Sequence, residues 1–334
     1  MAKLKYLVKR IFNMNFHNFF DTISNISTKT HRSKISLFLD IIHCGFKYQA
    51  GYSDYKLYEM YNMTAAERET VVTRGKNNEI IKKYNNPAFI HYFNSKIAFN
   101  KKFNRYLNRD WLELNSDNIT EFATFIHKHP TIIVKPDSLS CGKGIEILNV
   151  TEKNYTQVYN ELILSHRNLV EEVVKQCPEI NKLHPDSINT LRLVTLNHHL
   201  IVAFIRIGNN HNIVDNFNHG GMVAPINLET GIVDYPAIDK SGHVFDRHPL
   251  TKEPILWFKI PKWPRIKRYI EKVSYVIPEV KYVAWDVCVT AEGPILIEGN
   301  EFPGHDLYQL PPHRSNNQGL MPVFEKAMKE ENKQ

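Results

Sequence analysis

The apolar and polar positions of the 334-residue chain follow two different periods. Up to about residue 95, apolar residues recur at roughly helical spacing, which places their side chains on one face of a helix. After Pro130, short apolar runs alternate with turn-forming residues, as strands do. The pattern predicts an α+β fold, with a helical region over residues 1–95 and a sheet-rich domain over residues 96–330.

Capping and turn residues mark the individual elements. Thr64-Ala65-Ala66-Glu67 has the form of a capping box, and its helix is expected to continue until Asn85-Asn86-Pro87. The segment 94–114 is expected to be helix and then turn. Further helices are predicted at 121–129 and 154–166, and strands at 131–135, 144–150, 168–174, 189–196, 200–208, 282–289 and 294–300.

Composition is that of a globular protein, with 43% hydrophobic and 23% charged residues. The net charge of +7 is concentrated at the N-terminus, where residues 1–50 hold eight Lys and Arg against Asp21 and Asp40. Such an end attracts anionic surfaces, unless it is only a solvated basic face of helices. No nucleic-acid reading module accompanies the charge, so nucleic acid is not an expected partner.

The cysteines and the N-terminal sequence bear on location. Four cysteines lie without C-x-x-C spacing in a chain too large to need disulfides, which indicates reduced thiols and argues against zinc. Lys, Arg, Asn or His interrupt the first 20 residues too often for a signal peptide or a membrane span. We therefore expect a cytoplasmic protein whose amphipathic first helix touches the inner face of a membrane.

A small, polar loop joins the strands at 131–135 and 144–150. It supplies two serines, two glycines and Lys143, which suit a cradle of backbone N–H groups around phosphate. It is not a Walker A loop, because Lys143 precedes Gly144 and a strand. Lys135 ends the first strand and can point toward whatever the loop covers. A plain surface loop and a snorkelling lysine are the alternatives.

The strongest pattern is the hairpin YVAWDVCVTAEGPILIEGN at 282–300. A three-residue loop at Ala291-Glu292-Gly293 places Asp286 directly opposite Glu298. Opposed carboxylates are destabilising unless a cation neutralises them, and Mg²⁺ prefers oxygen ligands. Asn300 offers an amide oxygen on the same face. The other face is expected to be core, formed by Val283, Trp285, Val287, Val289, Ile295 and Ile297.

Two arginines interrupt apolar strands. If Asn197-His198-His199 is the loop between those strands, Arg192 and Arg206 face the same side and could neutralise phosphate oxygens in a transition state. They could equally be charges that protect an edge strand. The Asn, His and Gly cluster at 216–221 suits either close approach to a ligand or a tight turn.

From about Lys96 to about Pro312 the chain resembles the ATP-grasp superfamily. It resembles more narrowly the ATP-grasp proteins associated with sugar transfer and bacterial surface-polysaccharide synthesis, and SDYKLYEMYNMTAAERETVVTRGKNNEI resembles their helical leader. The motifs that carry the resemblance are, in order, IIVKP, SLSCGKGIEIL, LVEEVV, SINTLRLVT, NFNHGGMVAPIN and WDVCVTAEGPILIEGN.

The resemblance implies that ATP and Mg²⁺ bind between two α+β subdomains. Arg192 would meet the γ-phosphate, Glu171 would accept from the adenine amino group, and residues 171–174 would be the hinge. The ribose-binding acid would be Glu179 or Asp186. The implied nucleotide-binding residues are Lys96, Lys135, Ser138, Ser140, Gly142, Lys143, Gly144, Glu171, Glu172, Val173, Val174 and Glu179. The metal ligands would be Asp286, Glu298 and Asn300, and the catalytic arginines Arg192 and Arg206.

The implied reaction is amide formation by a carboxylate–amine ligase through an acyl phosphate. The carboxylate would belong to a uronic acid of a glycan and the amine to an amino acid or amino sugar, with substrate residues in 216–221, Arg206 and 300–309. Two alternatives stay open: a kinase of a sugar hydroxyl, and a non-catalytic partner of a glycosyltransferase whose basic N-terminus docks on a membrane.

Overall fold

The computed structural model describes residues 15–138, 144–209, 215, 217 and 220–330. These residues form helices and antiparallel sheets, so the α+β class is confirmed. They divide into two compact units. The helical unit holds the residues up to Tyr84 and those from Gly304 onward, and the sheet unit spans Asn85–Pro303. This grouping by contact differs from the boundary expected at residue 95.

The helical unit packs around aromatic and aliphatic side chains. Phe19, Leu37, Tyr48, Tyr55 and Met60 are among its buried residues. Its helices before Tyr84 are α1 (Phe16–Thr30), α2 (Lys34–Tyr48), α3 (Tyr52–Leu57), α4 (Ala65–Glu69) and α5 (Arg74–Tyr84). Within the described ranges, no helix combines the length and apolar character needed to cross a membrane.

The predicted capping box is present at the start of α4. The Glu67 carboxylate accepts the N–H of Thr64 at 2.6 Å, and the Thr64 hydroxyl accepts the N–H of Glu67 at 3.3 Å. The helix does not continue to Asn85, however. Val71 and Val72 separate α4 from α5 and are buried, and the Thr73 hydroxyl donates to the Tyr48 carbonyl, so burial overrides the helical pattern here.

The C-terminal segment completes the helical unit. The Gln309 amide donates to the Val72 carbonyl at 2.8 Å and accepts the Val72 N–H at 3.1 Å. The Tyr58 hydroxyl donates to the His305 carbonyl at 2.8 Å. A helix at Met321–Glu330 ends the described chain. The unit is therefore built from segments far apart in sequence.

The sheet unit begins with α6 (His91–Asn94) and α7 (Lys96–Leu107) and continues into a small sheet. Its strand order is β1-β4-β2-β3, with every neighbouring pair antiparallel. The elements are β1 (Trp111–Glu113), α8 (Ile119–Lys128), β2 (Thr131–Lys135), β3 (Glu146–Asn149), α9 (Tyr155–Leu164) and β4 (Leu169–Glu172). All but β1 occupy positions that the sequence predicts.

Strand β1 is a correction, because helix followed by turn was expected there. It is three residues long and too short to show alternation. It pairs with β4, Trp111 opposite Glu171 and Glu113 opposite Leu169. Its extended conformation is therefore a consequence of pairing with a distant segment.

The large sheet carries seven strands in the order β11-β10-β5-β6-β7-β8-β9. Phe103 of α7 packs in its core against Trp285, with ring centroids 5.5 Å apart, and Ile270 belongs to the same core. The remaining elements are α10 (Pro178–Asn181), β5 (Leu191–Leu196), β6 (His199–Ile207), β7 (Met222–Pro225), β8 (Ala237–Asp239), β9 (Val244–Phe245), α11 (Trp263–Ser274), β10 (Tyr282–Val289) and β11 (Pro294–Asn300).

The turn between β5 and β6 is tighter than predicted. Asn197 and His198 both have positive φ, 50° and 67°, and His199 already belongs to β6. A register shift after Val194 then brings Arg192 opposite Phe204. This is the register that the predicted three-residue loop would have produced, so Arg192 and Arg206 do face the same side.

Candidate active site

Two carboxylates face each other on the neighbouring strands β10 and β11, at one edge of the large sheet. Asp286 is paired with Glu298, as the sequence predicts. The turn is tighter than expected, because the Thr290 N–H donates to the Gly293 carbonyl at 2.8 Å and Val289 pairs with Pro294. The tighter turn shifts the pairing by one residue, and a bulge between Asp286 and Val287 shifts it back. Ile297 of β11 is the residue that the bulge leaves without a partner on β10.

The bulge also corrects the predicted core face of the hairpin. Val283, Trp285, Val287 and Val289 belong to the core of the sheet unit, as expected. On β11, Leu296 also belongs to that core and Ile295 is buried as expected, whereas Ile297, the extra residue of the bulge, is only half-buried. One inserted residue reverses the alternation of side chains along a strand, which explains why Leu296 is buried more deeply than Ile297.

Asp286 is held by both predicted arginines. Arg192 donates through Nε to Oδ1 at 2.5 Å and through Nη2 to Oδ2 at 2.9 Å, and Arg206 Nη1 donates to Oδ2 at 2.8 Å. Asp286 is 3% exposed. Burial opposes its ionisation, but the two guanidinium groups outweigh burial and hold the pKa of Asp286 below its usual value. The chain itself thus neutralises one member of the carboxylate pair.

Glu298 and Asn300 are more open than Asp286. Both are exposed along β11, and the Asn300 amide oxygen accepts the N–H of Phe302 at 3.0 Å. Desolvation and the adjacent Asp286 carboxylate raise the pKa of Glu298. Asp286, Glu298 and Asn300 present only oxygen donors, the set that suits a hard cation such as Mg²⁺. The arginines donate one hydrogen bond to Oδ1 of Asp286 and two to its Oδ2.

Asp215 belongs to the same charge cluster and was missed in the sequence. Its Oδ1 lies 3.0 Å from Arg206 Nη2, and its Oδ2 accepts the Thr190 N–H at 2.8 Å. Arg206 therefore bridges Asp215 and Asp286. In the sequence, Asp215 is the single acidic residue in an otherwise uncharged stretch before Gly220. This was the only sign of its role, because Asp215 belongs to no recognised motif.

A second buried charge cluster lies on the small sheet. Lys135 Nζ is 2.6 Å from Glu171 Oε2, while Arg109 Nη2 and Asn100 Nδ2 each donate to Oε1 at 2.8 Å. Glu171 is 2% exposed. Burial would raise the pKa of Glu171, but Arg109 and Lys135 lower it well below its usual value. The Glu171 carboxylate thus already accepts three hydrogen bonds, and its contact with adenine stays a prediction.

Arg109 connects this cluster to the β10–β11 hairpin. It donates to the Leu296 carbonyl and, at 3.3 Å, to the Ile297 carbonyl, at the bulge that precedes Glu298. Its Nε is buried without a hydrogen-bond partner. No sequence pattern marked Arg109, because its role depends on two strands that are distant in sequence.

Lys96 lies at the first position of α7 beside these groups. Its Nζ is 3.2 Å from the Pro136 carbonyl and 3.3 Å from that of Asp137. Burial lowers the pKa of Lys96, the Glu298 carboxylate opposes this shift and the Lys135 ammonium adds to it. Three predicted residues, Lys96, Lys135 and Glu298, therefore influence one another electrostatically.

The other predicted nucleotide-binding residues are less constrained. Ser138 and Gly144 are exposed at the two ends of the loop, Val173 and Val174 are half-buried after β4, and Glu179 is exposed in α10. The Glu172 carboxylate accepts the Asp110 N–H at 3.0 Å. Several predicted residues lie outside the described residues: Ser140, Gly142 and Lys143 in the loop, and Asn216, Asn218 and His219.

One further group of possible metal ligands lies beside Glu172. His129 Nε2 is 2.7 Å from Asp110 Oδ2 and 3.6 Å from Glu172 Oε2. Lys128 also bonds Asp110. Because Lys128 and His129 already form ion pairs with these carboxylates, we assign no metal ion to this group.

Comparisons with known proteins add the following. The profile of the family described as sugar-transfer-associated ATP-grasp matches residues 75–329. No curated protein matches the chain.

Solved structures of ligases resemble the chain at low identity. The ATP-grasp ligase PsnB, complexed with a precursor peptide and AMPPNP, is similar over 75% of this chain and 62% of its own, at 10% identity and a TM-score of 0.44. D-alanyl-alanine synthetase A from Vibrio cholerae O1 biovar eltor is similar over 72% of this chain and 64% of its own, at 14% identity and a TM-score of 0.43. D-cycloserine synthetase DcsG is similar over 72% of this chain and 72% of its own, at 10% identity and a TM-score of 0.42. The chain thus spans 62% of the length of PsnB.

Proposed function

This chain belongs to the sugar-transfer-associated ATP-grasp family, and from that premise we propose that it is an ATP-dependent carboxylate–amine ligase. The carboxylate would be that of a uronic acid in a surface polysaccharide or its precursor. The amine would be an amino acid or an amino sugar. The sugar-transfer association of the family supports the choice of a sugar carboxylate.

The observation that carries the proposal is the cluster of Asp286, Glu298, Arg192 and Arg206. Two carboxylates and two guanidinium groups converge on one face of the large sheet. A phosphoryl group in transfer carries negative charge on its oxygens, and catalysis of that transfer consists mainly of positioning and charge stabilisation. Arginines held in place by a buried carboxylate are suited to that task, because their orientation is set before ATP arrives.

Metal and nucleotide would bind on either side of this cluster. Asp286, Glu298 and Asn300 would hold Mg²⁺, which supplies positive charge next to the phosphate oxygens when it is bound. Lys135 and Lys96 would contact the phosphates, beneath the loop that runs from Ser138 to Gly144. The backbone of residues 171–174 would bind adenine, and Glu179 would bind ribose.

The reaction would proceed in two displacements. An oxygen of the substrate carboxylate attacks the γ-phosphorus of ATP, the bond from that phosphorus to the bridging oxygen breaks, and ADP leaves. The amine nitrogen then attacks the acyl carbon, the bond from that carbon to the phosphate oxygen breaks, and inorganic phosphate leaves with one proton lost from nitrogen. Arg192 would stabilise the charge on the γ-phosphate in the first step, and Arg206 would hold the substrate carboxylate or the released phosphate.

The experiment measures ADP and inorganic phosphate separately. Purified protein receives Mg-ATP with uronic-acid glycans and a pool of amino acids, singly and together. Equal amounts of ADP and phosphate that appear only with both substrates are expected. ADP without free phosphate would replace the ligase by a kinase of a sugar hydroxyl. Absence of both products, with Mg-ATP still bound, would favour a non-catalytic nucleotide-binding partner of a glycosyltransferase.

A further inference from the structure

Helix α2 of the helical unit has apolar residues on two opposite faces. Leu37, Ile41, Cys44 and Tyr48 point into the core. The opposite face repeats apolar residues at helical spacing and is open to solvent: Ile35 is 73% exposed, Leu39 60% and Phe46 53%, with Ile42 half-buried between them. A helix that packs against a core on one side needs apolar residues on that side alone, so packing within the unit does not account for the second apolar face.

Helix α1 extends this exposed face. Phe16 and Phe20 lie one turn apart on α1, and both are exposed. The buried ring of Phe19 packs edge-on against Phe20, with centroids 5.3 Å apart, and against Phe38 of α2, at 5.8 Å. Phe19 therefore links the exposed apolar residues of the two helices. We call it the α1–α2 surface, formed by Phe16, Phe20, Ile35, Phe38, Leu39 and Phe46.

The charges around the α1–α2 surface are mainly basic. Lys34 precedes Ile35 and Lys47 follows Phe46, so an exposed lysine stands at each end of the α2 stripe. The acid of α2, Asp40, points elsewhere and binds Arg68 in a two-pronged ion pair at 2.7 and 2.8 Å. The single acid of α1, Asp21, is exposed, and its Oδ2 lies 3.2 Å from His17 Nε2. In sequence, the chain before Phe16 is also basic, with Lys3, Lys5, Lys9 and Arg10.

We propose that the α1–α2 surface binds the face of a membrane that contains anionic phospholipids. Phe and Leu side chains would enter the boundary between headgroups and acyl chains, and the lysines would meet the anionic headgroups. A large exposed apolar surface marks an interaction site, and the basic rim selects its partner. A second copy of the chain is a poorer match, because a two-fold interface would bring like charges together around the rim. This inference does not depend on the proposed ligase activity.

The test is co-sedimentation of the full chain with lipid vesicles. One vesicle preparation contains phosphatidylcholine alone, and the other contains phosphatidylcholine mixed with phosphatidylglycerol. We expect binding to the mixed vesicles and much weaker binding to the neutral ones. The double variant Leu39→Glu/Phe46→Glu should bind mixed vesicles about tenfold more weakly or worse, because it places two charges in the apolar contact.

The matched control is Leu164→Glu. Leu164 is 80% exposed on α9 of the sheet unit, so this variant adds an acid at an exposed apolar position away from the surface. It should bind like the wild type. A second variant, Lys34→Glu/Lys47→Glu, should lose the preference for phosphatidylglycerol. Circular dichroism of each variant confirms that the helices remain.

Other outcomes overturn the proposal. Wild-type protein that sediments with neither preparation, or a Leu39→Glu/Phe46→Glu variant that binds as tightly as the wild type, excludes the α1–α2 surface as a membrane contact. Equal binding to neutral and anionic vesicles would show that the lysines around the α1–α2 surface do not select anionic headgroups. A dimer that the double variant dissociates, without vesicle binding, identifies a second copy as the occupant instead.

Discussion

Asp286 shows how one residue can serve both structure and chemistry. As a member of an opposed carboxylate pair it is a candidate metal ligand, and as the partner of Arg192 and Arg206 it is the anion that holds two guanidinium groups. Glu298 has no comparable ion pair among the described residues and is exposed. The two acids should therefore respond differently to substitution.

Glu298→Ala should remove activity and leave the fold intact. Loss of a charged ligand beside the phosphates should lower kcat for ADP release by about 100-fold or more, while the urea midpoint followed by tryptophan fluorescence should stay unchanged. Glu292→Ala, on the exposed turn of the same hairpin, is the control and should turn over normally. Normal turnover by Glu298→Ala would exclude Glu298 from the site.

Asp286→Ala should remove activity and also destabilise the sheet unit. It leaves the buried Arg206 and the half-buried Arg192 without their shared carboxylate. Because Arg206 keeps its ion pair with Asp215, we expect a loss of about 3 kcal/mol of free energy of unfolding. Urea denaturation followed by tryptophan fluorescence measures the loss. An unchanged midpoint would mean that the arginines find other partners and that Asp286 is not their anchor.

Arg109 provides a second test at the residue scale. Arg109→Leu leaves Glu171 buried with one cation fewer and removes the bonds to the Leu296 and Ile297 carbonyls, so a loss of about 3–5 kcal/mol is expected. Arg109→Lys keeps the charge and should recover part of the loss. Arg105→Leu, exposed on α7, is the control. Equal urea midpoints for Arg109→Leu and Arg105→Leu would contradict the linking role of Arg109.

At the scale of elements, the hairpins β5–β6 and β10–β11 compensate for a turn in the same way. In each, the turn is tighter than predicted and a bulge restores the predicted register further along the strands. Burial explains the result: a one-residue slip would turn every core side chain of the strand toward solvent, so the apolar pattern determines the register and the bulge absorbs the difference. The sequence pattern predicted the paired residues correctly although the turns were wrong.

The helices of the helical unit are joined by an ion pair that should respond to pH. Asp40 on α2 accepts from Arg68 on α4 and, at 2.6 Å, from the Tyr55 hydroxyl on α3. Burial opposes the ionisation of Asp40, but the hydrogen bonds from Arg68 and Tyr55 hold the pKa of Asp40 below its usual value.

Because the pKa of Asp40 is lower in the folded protein than in the unfolded chain, the unfolded chain binds more protons in acid. The contribution of Asp40 to the stability of the fold is therefore fully present above the ordinary Asp pKa of about 4. This contribution declines as the pH falls below that value. Asp40→Asn should therefore be less stable than the wild type at pH 7 by helix circular dichroism, and the difference should shrink toward pH 3. A difference that is independent of pH would assign the effect to packing.

At the scale of the whole molecule, two units can be followed separately. All four tryptophans, Trp111, Trp257, Trp263 and Trp285, belong to the sheet unit, so tryptophan fluorescence reports that unit alone. The helical unit depends on the C-terminal segment, where buried Gln309 bonds Val72 and the Leu320 N–H.

Gln309→Ala should destabilise the helical unit selectively. It leaves buried backbone groups of Val72 without partners, which should cost about 2–4 kcal/mol. Helix circular dichroism should show a lower urea midpoint, while the tryptophan transition stays in place. Gln318→Ala, exposed in the same segment, is the control. Equal shifts of both signals would show that the two units unfold together.

The family match confirms the ATP-grasp fold that the sequence motifs implied. By itself the sequence determined the features that depend on local spacing: the α+β class, most strands, the Thr64 capping box, the pairing of Asp286 with Glu298, and the shared face of Arg192 and Arg206. Each follows from a period of side chains along one or two adjacent elements, and burial enforces that period.

Only the tertiary structure decided what depends on distant segments meeting. Arg109, Asn100 and Asp215 gain their partners from elements far away in sequence, β1 becomes a strand only by pairing with β4, and Gln309 completes a unit whose first part ends at Tyr84. A charge or an amide has no period that reveals its partner. Its contacts are determined when folding excludes water and leaves each buried polar group to find a neighbour.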